Sequence, residues 1–430
     1  MQNSAGGLHL IFSLFKRQAV LLVGVAAVSQ ILQLISYLAL TRNFAPLQLG
    51  AFGQVHATFL LFLPWAALAF PSALALAKTS VERDYLSRLA LLATIGSAAV
   101  VQMFFWLYAI FGHDLHSMFL YAPFISIVGA GLASLAEQQF LLAGRIKQQA
   151  LVVLSVATCI CCSRILLALN EASLPWLLAT VPLQPVLLAG FYYVFSKRST
   201  SKQQYRWTEL KRIGQNFSNF PKYQASQQAF NAWSQSIPLI LFSWWFGLDV
   251  LAYLNLAILL LAAPSGLLNK AVGDVYYPLA ASLLQQSRGL IAFLAQTTAA
   301  LFFLLILPFS LLGIYAEPLY ANVFGEQWRH AADYCLWLMP WYFLVCLNAP
   351  ALKTLIVMRQ QKFSFYLNVC TFVLRCLAIT IGAFVAKSVW WAIALYSVIG
   401  CMHNLIIIGN AFVVAKRHAQ SKEALGDAVC

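Results

Sequence analysis

Two arginines stand among residues that are almost all apolar: Arg164 in LSVATCICCSRILLAL and Arg375 in FYLNVCTFVLRCLAIT. A charge at that depth of a bilayer costs about 2.5–3.5 kcal/mol on insertion scales, so each needs a route to the interface or a partner inside the protein. A guanidinium is a planar fork of donors with a fixed charge, which suits phosphate. Arg164 is near enough to the end of its stretch to snorkel, while Arg375 lies deeper, and anion binding and structural roles stay open for both. Arg42, Lys222 and Lys270 close neighbouring apolar stretches, where they could flank the same anion or serve as interfacial anchors.

Uncharged polar residues recur at helical spacing. Ser29, Gln33 and Ser36 share a face with Gln30 and Tyr37 beside it, and Gln224, Gln228, Asn231 and Gln235 form a second stripe next to Gln227. In lipid such faces must meet protein or water. They read either as hydrogen bonds between helices or as the wall of a hydrated cavity that offers donors and acceptors to sugar hydroxyls. Glu137, Asp274 and Asp333 lie near the ends of apolar stretches, as candidate ion-coupling sites or as interfacial acids. Motifs for ATP, zinc-protease or serine-hydrolase chemistry are absent, so neither an enzyme nor a cofactor is expected. The Glu82 and Asp84 pair has the spacing of a metal and sugar site but reads as a solvated turn, and no metal site is expected.

The elements that position these groups follow from composition. A chain of 430 residues that is 61% apolar and 9% charged cannot clothe a soluble core. Its net charge of +14 punctuates apolar runs and does not cluster on a polar module, which points to membrane orientation and away from nucleic acid. About 20 apolar residues span a bilayer. Twelve stretches qualify: 18–40, 52–77, 89–111, 116–138, 149–169, 173–195, 224–246, 250–270, 290–314, 332–356, 364–385 and 389–415. The first, following Lys16 and Arg17, is long enough to be a retained helix and not a signal peptide. With the first span starting in the cytoplasm, the outer loops carry only Arg42, Arg329 and Lys387 of the 27 basic residues, and Arg164 and Arg375 fall inside spans. That asymmetry places both termini in the cytoplasm.

The expected fold is all-α, a polytopic membrane protein of about 12 transmembrane helices in two six-helix lobes around a central cavity. The boundaries are an N-terminal lobe 1–196, a basic cytoplasmic linker 197–222, a C-terminal lobe 223–415 and a tail 416–430. Leu60, Leu61 and Pro64 match Leu260, Leu261 and Pro264, and Arg164 matches Arg375 in the corresponding helix of the other lobe. Such matches suggest an internal repeat of the kind that faces a substrate path in transporters.

Four stretches carry a resemblance to a known family: TRNFAPLQLGAFGQVHAT (41–58), NFPKYQASQQAFNAWSQSIPLILFSWWFG (219–247), VGDVYYPLAA (272–281) and VFGEQWRHAADYCLWLMPW (323–341). In that order on a twelve-span chain they resemble the O-antigen and polysaccharide flippases of the multidrug/oligosaccharidyl-lipid/polysaccharide exporter superfamily. The resemblance implies alternating access and an undecaprenyl-pyrophosphate-linked oligosaccharide as cargo in the bacterial inner membrane. It also implies the lipid bilayer as partner, with a polysaccharide polymerase and chain-length proteins as candidates. Where other branches carry cavity arginines in the first, second and eighth helices, this chain has none; Arg42 closes the first span and Lys270 ends the eighth. Two alternatives remain: a cation-coupled drug or metabolite exporter of the same superfamily, and a membrane oligosaccharide polymerase or glycosyltransferase.

Overall fold

Apolar stretches long enough to span must satisfy their own backbone, and they do so as helices. The computed structural model of the chain describes residues 3–111, 117–195, 206–286 and 289–427. Fifteen α-helices follow one another: α1 (Asn3–Asn43), α2 (Pro46–Phe62), α3 (Phe70–Ala73), α4 (Ser80–Ile110), α5 (Ala122–Leu142), α6 (Ile146–Leu169), α7 (Leu174–Phe195), α8 (Trp207–Asn216), α9 (Ser226–Phe246), α10 (Leu248–Gln286), α11 (Leu290–Leu319), α12 (Ala331–Leu347), α13 (Ala349–Val357), α14 (Gln361–Phe384) and α15 (Val389–Asp427). Among the described residues there is no strand. Ten helical segments are long and apolar enough to cross a membrane, and α12 with α13, bent by 41°, makes an eleventh. The stretch 224–246 forms α9, whose Gln227, Gln228, Asn231 and Gln235 make it too polar to join that set.

Contacts divide the chain into two compact units. The first comprises Met1–Phe44 and Ala51–Ile240, the second Ala45–Gly50 and Leu241–Cys430. In the first, α1 packs on α6, α5 on α4 and α7, and the short α8 on α4. In the second, α10 packs on α12 and α13, and α15 on α12 and α14.

The second apolar stretch, 52–77, is not one helix. After α2 ends at Phe62, a 3-10 turn spans Leu63–Trp65, Leu68 and Ala69 adopt φ of 48° and 58°, and α3 is a single turn. Pro64 and Pro71 explain the break, because each removes a backbone donor. Partners replace the lost bonds: the Ser97 hydroxyl donates to the Ala66 carbonyl at 2.8 Å, and the Trp233 indole donates to the Leu61 carbonyl at 3.1 Å. The left-handed pair is held by burial of Ala67, Phe70, Ala73 and Leu74 against Leu86, Ala90, Leu210 and Ile213.

Candidate functional site

Five helices of the first unit each turn one face toward a shared cavity of about 330 Å³. α1 supplies Ser29, Gln33, Ser36 and Tyr37; α2 supplies Phe52 and His56; α5 supplies Ala133 and Glu137. α7 contributes Gln184, Leu188 and Tyr192, and α6 runs along the wall from Val153 through Val156 and Ile160 to Arg164. On every helix the spacing is three or four residues, so one face of each is turned inward. Unlike a lipid-facing stripe, this lining mixes leucines and valines with a carboxylate, an imidazole, a guanidinium, two amides and two phenols.

The charged groups mark opposite ends. Glu137 accepts a hydrogen bond from Gln149 Nε2 at 3.0 Å. Gln149 and Arg164 are on the same helix, 15 residues or about 22 Å apart along its axis. Arg164 is 6% exposed. Its Nε donates to the Thr180 hydroxyl at 3.4 Å, and Thr180 in turn donates to the Leu177 carbonyl at 2.7 Å. The guanidinium carbon lies 5.1 Å from the centre of the Phe52 ring, which stacks on His56 and meets Tyr37 edge-on. Among the described residues no carboxylate lies within 4 Å of Arg164, since the ion pairs all lie elsewhere. A fixed positive charge backed by an aromatic face and directed at a polar cavity can hold an anion.

Of the residues singled out from sequence, the structure gathers Ser29, Gln33, Ser36, Tyr37, Glu137 and Arg164 around this cavity. Gln30 is half-buried on α1 outside its lining, and Arg42 is exposed in the last turn of the same helix. Lys222 is exposed in a π-helical turn, Phe220–Ala225, and Gln228 and Asn231 are exposed on α9. The side chains of Lys270 and Asp274 lie outside the described residues. Arg375 belongs to the second unit, where its guanidinium carbon sits 4.3 Å above Trp341 and 5.5 Å above Tyr396. Its buried Nε has no hydrogen-bond partner among the described residues, and on the preceding turn Thr371 is bonded to His403 at 2.8 Å.

His56, Gln184 and Tyr192 line the cavity but were not singled out. A signal existed for two of them: His56 interrupts the apolar stretch FGQVHATFLLF, and Gln184 stands between two prolines in VPLQPV. Tyr192, in the apolar FYYVF, carries none. Among the described residues no group of three or more His, Cys, Asp or Glu could hold a metal ion.

Comparison with known proteins places this architecture. A lipid II flippase, MurJ, in an inward closed conformation superposes with a TM-score of 0.72 at 13% identity, covering 93% of this chain and 90% of that one. An inward-facing multidrug resistance MATE family transporter of the MOP superfamily gives 0.68 at 12% identity, with 94% and 99% covered. The eukaryotic MATE transporter AtDTX14 gives 0.51 at 13% identity, with 94% and 97% covered. At these identities the likeness is one of fold. No curated protein matches the chain in sequence. The model of the family described as polysaccharide biosynthesis protein matches residues 40–333, well over half of the chain. The chain therefore belongs to the polysaccharide biosynthesis protein family, with the all-helical membrane fold of the MOP exporters and flippases.

Proposed function

We propose that the protein is a flippase that moves a polyprenyl-pyrophosphate-linked oligosaccharide, such as an O-antigen repeat unit for lipopolysaccharide, from the cytoplasmic to the periplasmic leaflet of a bacterial inner membrane. In this reading the lobes 1–196 and 223–415 flank the linker 197–222, both termini face the cytoplasm, and alternating access exposes the cargo to one side at a time. A polymerase and chain-length proteins would use the delivered product.

One observation carries the reading: Arg164, buried within a membrane span and with no carboxylate within 4 Å among the described residues, borders a cavity that also presents amides, hydroxyls and phenols. At about 30 Å³ per water, the cavity has room for about ten waters. It suits a pyrophosphate or one sugar ring, while the rest of the glycan and the lipid tail stay outside it. Arg42, Lys222 and Lys270, with Gln30, Gln228 and Asn231, are further candidate cargo contacts. Net movement needs a driving force that distinguishes the two facing states, such as consumption of product on the far side or an ion gradient.

Reconstituted protein tests this with a fluorescent polyprenyl-pyrophosphate oligosaccharide. Arg164→Ala is expected to abolish transfer between leaflets, with Arg164→Lys retaining part; wild-type rates in both would overturn the assignment. Glu137, on the wall of the same cavity, supports a second reading as a cation-coupled exporter. That reading requires transport to depend on a cation gradient and Glu137→Gln to uncouple it, with Asp274 as a second candidate.

A further inference from the structure

A separate groove lies where α8 meets the beginning of α4. It encloses about 460 Å³ and is lined by Arg88, Leu91 and Leu92 of α4 and by Arg206, Trp207 and Leu210 at the start of α8. The order of these residues along α4 sets their depth. Glu82, Arg83, Asp84 and Arg88 are followed by no further charge up to Ile110. That uncharged run, 89–110, is about 33 Å long at 1.5 Å per residue and matches a hydrocarbon core of about 30 Å. Arg88 therefore stands at the level of the lipid phosphates, and Leu91 and Leu92 at the level of the first acyl carbons.

α8 is built to lie at this interface. Leu210 and Ile213 are buried against α4, while Lys211 and Arg212 are exposed. The backbone N–H of Arg206 donates to the Tyr85 hydroxyl at 3.1 Å, which pins the start of α8 to α4 one turn before Arg88. Trp207 is 74% exposed, and tryptophan favours the headgroup layer. The acid on α8, Glu209, is engaged by Arg212 at 2.7 Å.

We propose that this groove binds an anionic phospholipid of the bilayer, its phosphate between Arg88 and Arg206 and one acyl chain along Leu91, Leu92 and Leu210. Charge complementarity selects an anion, and the leucine wall selects a lipid over a free phosphate, which would leave the apolar half of the groove unmatched. Basic clusters next to a span recognise anionic headgroups in this way. The site is distinct from the Arg164 cavity and does not depend on what that cavity carries.

Purified full-length protein in zwitterionic detergent tests the idea by its thermal midpoint during titration with short-chain phosphatidylglycerol, phosphatidylcholine of equal chain length, or inorganic phosphate. Phosphatidylglycerol alone should raise the midpoint. Arg88→Gln and Arg206→Gln should each raise its half-saturating concentration about fivefold, and Leu92→Ala should weaken the response through the acyl chain. Lys416→Gln with Arg417→Gln, at a different basic segment, should leave the response intact. Equal responses to phosphatidylcholine or to phosphate would overturn the proposal, as would an equal loss in the Lys416 and Arg417 variant. Should the arginine variants fail to fold, native mass spectrometry of wild-type protein in mixed micelles decides. Retained phosphatidylglycerol supports the site, and statistical retention of both lipids refutes it.

Discussion

Arg164 and Arg375 both stand within apolar helices, α6 and α14, yet the two units treat them differently. Arg164 has Phe52 under one face, Thr180 on its Nε and a polar cavity before it. Arg375 lies over Trp341 and Tyr396, which meet edge to face at 5.1 Å, and its Nε is buried without a partner. A π face offsets the desolvation of a guanidinium without using its N–H edges, so the two arginines differ in what those edges meet: Thr180 and a polar cavity for Arg164, and for Arg375 a buried setting with no acceptor for Nε among the described residues. Two arginines in apolar sequence thus meet different surroundings, one bordering a polar cavity and the other an aromatic pair.

The largest effect that follows is on transport. Charge-assisted hydrogen bonds contribute about 1.5–3 kcal/mol each, so Arg164→Ala should reduce leaflet-to-leaflet transfer by one to two orders of magnitude or more. Arg375→Met, which keeps length and stacking surface, should retain most of it. Loss of transfer in folded Arg375→Met protein alongside normal transfer in Arg164→Ala would invert the comparison.

Stability should show the opposite ranking. Truncating a buried tryptophan costs about 3–5 kcal/mol, and Trp341→Ala also removes a cation-π contact worth about 2 kcal/mol when desolvated. A double-mutant cycle with Arg375→Met, followed by thermal unfolding in detergent, should give a coupling near that figure. The Phe52 and Arg164 cycle should give less, because that guanidinium is farther from its ring and also bonded to Thr180. Equal couplings would mean that both arginines serve packing.

Much of this contrast was hidden in the sequence for identifiable reasons. Long uncharged stretches between basic residues report spans well, and ten helical segments, or eleven with the bent pair α12 and α13, are long and apolar enough to cross a membrane among the described residues. Helical spacing likewise marked the face of α1 that carries Gln33 and Ser36. Periodicity within one helix says nothing about which other helix it meets, however. The equally regular stripe on α9 leaves Gln228 and Asn231 exposed, while Glu137 of α5 and Gln184 and Tyr192 of α7 converge only through packing of those helices with α6. The break after α2 was legible as Pro64 and Pro71, but the left-handed Leu68 and Ala69 were not, because burial by α4 and α8 imposes them against local preference.

A smaller effect concerns close packing within each unit. A Cβ at Gly382 would stand 2.6 Å from the Ala392 Cα, so α14 and α15 cross backbone to backbone there. At Gly131 the same atom would meet Thr94, whose Cβ would stand 2.8 Å away and does not move with the rotamer, and whose hydroxyl is tied to the Ala90 carbonyl. Gly382→Ala and Gly131→Ala should therefore each lose about 1–3 kcal/mol, as read from unfolding midpoints. Gly190→Ala, with nothing within 4 Å, should gain a fraction of a kcal/mol from helix propensity. A loss at Gly190 equal to those at Gly382 and Gly131 would show that close approach is not what these glycines supply.

The smallest effect is expected at the third informative arginine, Arg329, which is exposed and ion-paired to Glu317 and Glu326 at 2.6 Å each. Its hydrogen bonds hold the Glu326 carboxyl below the usual carboxylate range. A carboxylate with a depressed folded-state pKa stabilises the fold above its unfolded pKa, and that contribution disappears as the pH falls through the folded value. Exposed pairs are screened and contribute little. Arg329→Gln should then leave the unfolding midpoint near neutral pH almost unchanged, and its small difference from wild type should vanish in molar salt and below about pH 4. A loss as large as that of Trp341→Ala would mean that paired charge at the surface, and not burial, decides what an arginine is worth in this protein. The contrast between Arg164 and Arg375 would then need another explanation, since neither has an acid within 4 Å among the described residues.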